Sequence, residues 1–143
     1  MMNYTEIENK LSSIAGDKYI LVFSGFSGLG YENPAQLEEK LENILDDTIR
    51  DYGRANILVV AGATEEGIGT VYRLAKAKGI AILGIVSEEA EEMPLATNEQ
   101  ETVLIPDPGK TWKVLDENGH SYMVNILQDR RGVFYALGEE KSP

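Results

Sequence analysis

The chain has 143 residues, 43% of them apolar and 26% charged, which suits one globular domain with a real core and leaves no room for two. Its formal net charge is −11, so neither nucleic acid nor an anionic membrane surface is an expected partner, since both select for Lys and Arg. There is no cysteine and one histidine, His120; disulfides, thiolate chemistry and histidine metal clusters are excluded, and no metal or resident cofactor is expected.

No apolar stretch approaches the ~20 residues of a bilayer span. The start, "MMNYTEIENK", lacks the basic region and apolar run of a signal peptide. A soluble, cytoplasmic protein is the expectation. His120 sits in "ENGHSY" and reads as a solvated turn residue.

Tyr4, Ile7, Leu11 and Ile14 fall at three- and four-residue steps, which predicts an amphipathic helix over roughly 4–15. Thr5 with Glu8 forms a candidate capping box, and Gly16 can end the helix. "KYILVF" then reads as a fully buried strand. It runs into a glycine-rich loop, "SGFSGLGYENP". Asn33 and Pro34 start the next helix, Leu37, Leu41, Ile44, Leu45 and Ile49 give it an apolar face, and Gly53 stops it.

"NILVVA" is a second buried strand, followed by a second glycine loop, "AGATEEGIG". Ile68, Val71, Tyr72 and Ala75 form another helical stripe, ended by Gly79, and "IAILGIVS" is the third strand. Continuous apolar strands alternating with amphipathic helices require βαβ crossovers and a parallel sheet covered on both faces. The fold class is therefore α/β: a Rossmann-like, doubly wound, mostly parallel sheet of about five strands, in one domain spanning 1–143.

The rest is less regular. "EEAEEM" suits a short solvated helical turn, and "ETVLIP" a strand. "TWKVLDENGHSYMVNIL" admits a hairpin turning at Asn118-Gly119. It also admits a helix from Ser121 with Met123, Ile126 and Leu127 on one face and Gly132 at its end. The helix is preferred, because it supplies the crossover that "GVFYALG" needs as a last parallel strand.

Three strands end in small residues: Phe23-Ser24-Gly25, Ala61-Gly62-Ala63 and Ala136-Leu137-Gly138. Doubly wound sheets bind ligands outside the carboxyl ends of their strands. Glycine there lets a ligand approach the backbone, and the next helix turns its free N–H groups toward it. Gly62 and Gly67 match the first half of a P-loop, but Ile68 and Gly69 stand where Lys and Ser or Thr should follow. P-loop NTP hydrolysis is not expected.

"PDPGKTW" has Gly109-Lys110-Thr111, but Leu104 stands five before the glycine, so the likeness is chance. Gly25, Gly28 and Gly30 have the wrong order for a dinucleotide fingerprint. Ser24, Ser27, Thr64 and Thr70 suit phosphate or ribose contacts. Glu65 and Glu66 read as solvated loop carboxylates, with a ribose acceptor or general base as the alternative. A serine nucleophile would have only His120 as a base and no nucleophile elbow. The expected ligand-binding set is Ser24, Gly25, Ser27, Gly28, Gly62, Ala63, Thr64, Glu66, Gly67, Ile68, Gly69, Thr70 and Gly138. The catalytic set is unassigned.

"VFSGFSG", "VVAGATEEGIGTVYRLAKAKGIAILGIVS" and the closing "GVFYALGEE" resemble the SLOG superfamily. These are Rossmann-like domains related to the lonely-guy-type phosphoribohydrolases (formerly called lysine decarboxylases) and to DNA-processing protein A. The resemblance covers about two-thirds of the chain. It implies a nucleotide or nucleotide-derived ligand, phosphate held by the turn from Gly62 to Thr70, and a homo-oligomer, a dimer.

The phosphoribohydrolases carry "P-G-G-x-G-T-x-x-E", whose glutamate works at the glycosidic bond. Here the corresponding stretch reads "ALGEEKSP", with Glu139 and Glu140 out of register. The leading expectation is thus a nucleotide-binding domain. The alternative is a phosphoribohydrolase acting on nucleoside monophosphates through Glu66 or Glu139. A third reading is a structural module whose glycine loops only turn, with the N-terminal helix docking onto a partner.

Overall fold

The computed structural model describes residues 3–24, 34–62, 69–90 and 101–136. Helix α1 (Tyr4–Ala15) leads into strand β1 (Tyr19–Ser24), then come α2 (Pro34–Tyr52) and β2 (Ile57–Ala61). Helix α3 (Gly69–Ala77) precedes β3 (Ala81–Ser87), a 3-10 turn covers Glu88–Ala90, and β4 (Thr102–Ile105), α4 (Tyr122–Asn125) and β5 (Gly132–Ala136) follow. The five strands form one sheet in the order β4-β3-β2-β1-β5, and every pairing is parallel. The α/β fold expected from the sequence is the one observed.

Alternate residues of each strand feed two cores, because side chains on a strand point to opposite faces. Leu21, Phe23, Val59, Ala61 and Ile82 join Leu41 and Leu45 of α2 and Val71, Tyr72 and Ala75 of α3 on one face. Ile20, Val22, Leu58, Val60, Leu83, Ile85, Val103 and Ile105 meet Ile7, Leu11 and Ala15 of α1 and Tyr122 of α4 on the other. Both faces being covered explains why the strands read as unbroken apolar runs.

Three local expectations are corrected. The N-cap of α1 is Asn3, which accepts from the Glu6 amide while Glu6 accepts from the Asn3 amide. The capping box therefore lies two residues before the Thr5–Glu8 pair, and Thr5 is already inside the helix. The helix from Ser121 exists, with the Ser121 hydroxyl accepting from the Met123 amide, but it is one turn long. The Asn118-Gly119 turn is present as well, closed by an antiparallel bridge between Leu115 and Ser121; the two readings of this segment are successive parts of one connection.

Gly132 does not end a helix; it opens β5 beside β1. A Cβ on it would lie 2.3 Å from the Ile20 carbonyl oxygen, so only glycine lets the two strands close up. Tyr135 then stacks on Phe23 with ring centroids 5.1 Å apart, a geometry that aromatic pairs favour. His120 is a solvated turn residue as expected, its side chain 74% exposed. Among the described residues no helix is long and apolar enough to cross a membrane.

Candidate ligand site at the carboxyl edge of the sheet

The strand order gives the carboxyl edge a switch point. From β1 the chain steps to β2, β3 and β4 on one side, and then returns to set β5 on the other side of β1. Such a reversal of strand order marks the carboxyl edge at which open α/β sheets bind ligands.

Register fixes the height of each strand end. Ser24 pairs with Ala136. Val22 pairs with Val60, and carrying that register two residues on sets Ser24 beside Gly62. Gly62, Ser24 and Ala136 are therefore adjacent and level, in the spatial order β2, β1, β5. Ala61 pairs with Gly84, so Ile85 is level with Gly62, and β3 runs two residues further, to Ser87. At about 3.3 Å per residue that is a step of about 7 Å. Ile105 of β4 pairs with Ser87 and shares the raised level. We refer to the described residues of β2, β1 and β5 at this level as the floor, and to the ends of β3 and β4, which reach Ser87 and Ile105, as the wall.

Gly62 needs neither an unusual backbone nor room for a neighbour. Its φ is not positive, and among the described residues a Cβ there would meet nothing within 4 Å. The carbonyl before it is anchored: the buried hydroxyl of Tyr72, on α3, hydrogen-bonds to the carbonyls of Ala61 and, at 2.8 Å, Leu83. Burial, the main cause, pushes the Tyr72 phenol well above its usual pKa, so it stays a donor. One side chain thus pins the end of β2 and ties it to β3.

The wall is built differently. Asp107, only 5% exposed, follows β4 and turns its carboxylate onto its own loop. Oδ2 accepts from the Ser87 hydroxyl at 2.7 Å and the Trp112 amide at 2.7 Å. Oδ1 accepts from the Thr111 amide at 2.9 Å and its hydroxyl at 3.1 Å. The Glu88 carboxylate in turn accepts from the Asp107 amide. The Ser87 hydroxyl is the largest cause, with the loop amides, of an Asp107 pKa held down to about 2.

The loop so held contains Lys110 at φ 54° and Trp112 at φ 64°. Left-handed backbone is uncommon for bulky residues and disfavoured by about 1–2 kcal/mol. Trp112 is nonetheless 54% exposed, so the strained geometry does not serve to bury it.

Of the expected site residues, Ser24 ends β1, Gly62 follows β2, and Gly69 and Thr70 open α3. Gly25, Ser27, Gly28, Ala63, Thr64, Glu66, Gly67, Ile68 and Gly138 lie outside the described residues, as do Glu65 and Glu139. Sequence reasoning missed Tyr72 as more than a core residue, and it missed Ser87, Asp107 and Trp112. The signal that could have found them was "PDPGKTW", an Asp-Pro-Gly turn placed directly after a strand.

A cleft of about 440 Å³ lies away from these residues, between α1 and the segment around α4. Glu8, Asp116 and Asp129 line it against one cation, Arg130, which makes it unsuited to an anion. Among the described residues no three carboxylate or imidazole groups converge to hold a metal ion. No protein-family model matches the chain, and no curated protein matches it.

Proposed function

We propose that the chain is a SLOG-like domain that binds a nucleotide or nucleotide derivative in the crevice at the carboxyl edge of its sheet. The phosphate sits over Ser24 and Gly62 and takes hydrogen bonds from the first turn of α3, whose leading amides have no partner within the helix. The observation that carries this reading is the common level of Gly62, Ser24 and Ala136, small residues on three adjacent strands beside the reversal of strand order. The −11 charge of the chain is no obstacle, because backbone amides and the dipole of a nine-residue helix supply a local positive potential.

No side chain in the described part of the floor is a candidate acid, base or nucleophile poised on a ligand, so binding rather than turnover is the activity proposed. The test is a thermal-melt panel of AMP, ADP-ribose, ribose 5-phosphate and inorganic phosphate on the whole protein. A phosphate-bearing ligand at 100 times its Kd stabilises by about 2.7 kcal/mol. Gly62→Asp clashes with none of the described residues and places a carboxylate on the floor; it is expected to abolish that shift. A shift unchanged in Gly62→Asp, or no shift with any phosphate compound, contradicts the proposal.

A further inference from the structure

We propose that the cleft between α1 and the segment around α4 binds a basic amino acid, a small molecule with one carboxylate and two cationic groups. This site is separate from the nucleotide reading above, and either stands without the other.

Hydrogen bonds hold the lining in place. Asp116 shapes its own turn: Oδ1 accepts from the Asn118 and His120 amides, both at 2.9 Å, and Oδ2 from the Asn125 side-chain amide at 2.8 Å. Ser121 caps the helical turn that follows, which sets Tyr122 in the core shared with Ile7, Leu11 and Ala15 of α1. Arg130 ties the segment to α1, donating to the Ser12 hydroxyl at 3.0 Å and to the Ile126 carbonyl at 3.4 Å. The cleft of about 440 Å³ falls within the size range of small-molecule sites.

The observation that points to a ligand is the Tyr122 hydroxyl. Tyr122 lines the cleft and is 1% exposed, yet its hydroxyl has no hydrogen-bond partner among the described residues. Buried polar groups are paired in native proteins, so an orphaned one requires a reason. Burial, and then the Glu8 and Asp116 carboxylates of the same cleft, push its phenol up to about 12. The hydroxyl therefore stays neutral and lies in the field of two carboxylates, where its oxygen can accept from an ammonium group.

The charges define the rest of the ligand. Glu8 and Asp129 line the cleft with no hydrogen bond or ion pair to their carboxylates among the described residues. Arg130 pairs with no carboxylate among them, and Ser12 and Ile126 leave part of its N–H fork unused. Two unpaired carboxylates and one guanidinium complement two cations and one carboxylate, the last well matched to an Arg fork. Leu11 and Ile126, both buried, add apolar lining for an aliphatic chain.

The test is calorimetric titration of the whole protein with L-arginine, with agmatine, which lacks the carboxylate, and with L-norvaline, which lacks the guanidinium. L-arginine is expected to bind one to one, and the other two about tenfold more weakly, each having lost one charged hydrogen-bonding group. Tyr122→Phe removes only the orphaned hydroxyl, so the free variant should melt no lower than wild type, yet bind L-arginine about tenfold more weakly. A hydroxyl with a purely structural role would not give that split. Glu8→Gln, at an exposed helix position, should weaken L-arginine as well.

L-arginine failing to bind at millimolar concentration, or binding both variants as it binds wild type, overturns the proposal. Agmatine or L-norvaline binding as tightly as L-arginine overturns the assignment of a basic amino acid. A Tyr122→Phe protein that melts lower than wild type overturns the reading of its hydroxyl as unpartnered.

Discussion

The two halves of the carboxyl edge reach the same sheet by opposite means. The described floor of β2, β1 and β5 ends in small residues and main chain, and Tyr72, which anchors it at Ala61, comes from the helix beneath it. The wall of β3 and β4 is made of side chains that act on their own loop: Ser87 and Asp107 bind each other and the amides of Thr111 and Trp112. A floor of backbone can meet a phosphate from several directions, because amides need only point outward. A wall of buried hydrogen bonds holds one arrangement and gives little.

The comparison breaks most severely at Gly132. Gly132→Ala drives a methyl group into the Ile20 carbonyl, and the two strands must separate. The expected loss is about 3 kcal/mol, the upper part of the overpacking range, read as a lower midpoint in denaturant. It also carries Ala136 away from Ser24, so phosphate binding should fall while the Trp112 emission of the native state is kept.

Tyr72→Phe is smaller. It removes the buried hydroxyl from the Ala61 and Leu83 carbonyls and should cost about 1–2 kcal/mol. Chemical denaturation measures it, with amide shifts at Ala61 and Gly62 showing that the floor has moved.

The wall is tested by acid. The folded pKa of Asp107 is about 2, below the ordinary 3.8, so its contribution to stability is complete above the unfolded value and lost as pH falls from about 4 toward 2. Trp112 emission is expected to change over that window and to stay flat in Asp107→Asn, whose loop has already lost the carboxylate. A wild-type profile flat to pH 2 contradicts the role given to Asp107.

The smallest effect belongs to the outer helices. Arg73 pairs with Glu38 across α3 and α2, with both side chains well exposed, and Arg73→Ala should shift stability by no more than about 0.5 kcal/mol. Both halves of the edge should behave as in wild type.

The central strands were legible in the sequence and the hydrogen bonds of the wall were not, for a physical reason. Buried parallel strands must be apolar throughout, so "YILVF", "ILVVA" and "AILGIVS" announce themselves, and glycines after two of them mark the edge. That β5 would lie beside β1, bringing Ala136 level with Ser24, follows from long-range pairing that no local pattern encodes. The helix cap shifted by two residues because Asn3 and Thr5 both carry a capping side chain, and the first apolar turn settles which one is used.

Asp107 was hidden more deeply. Its role comes from Ser87, twenty residues earlier in the chain, and "PDPGKTW" read alone resembles a broken phosphate loop. Gly132 was likewise read as a helix end, because a glycine needed for close strand approach looks the same in sequence as one needed for a turn.

The central claim is that the low edge formed by β2, β1 and β5 receives a phosphate-bearing ligand. An amide-resolved NMR titration of the uniformly labelled protein with AMP tests it most directly. Shifts concentrated at Ser24, Gly62, Gly69, Thr70 and Ala136, saturating with one affinity and absent from Gly62→Asp, are the predicted result. Shifts confined to the acidic cleft around Ser12 and Asn125, or spread evenly over the surface without saturation, would contradict it.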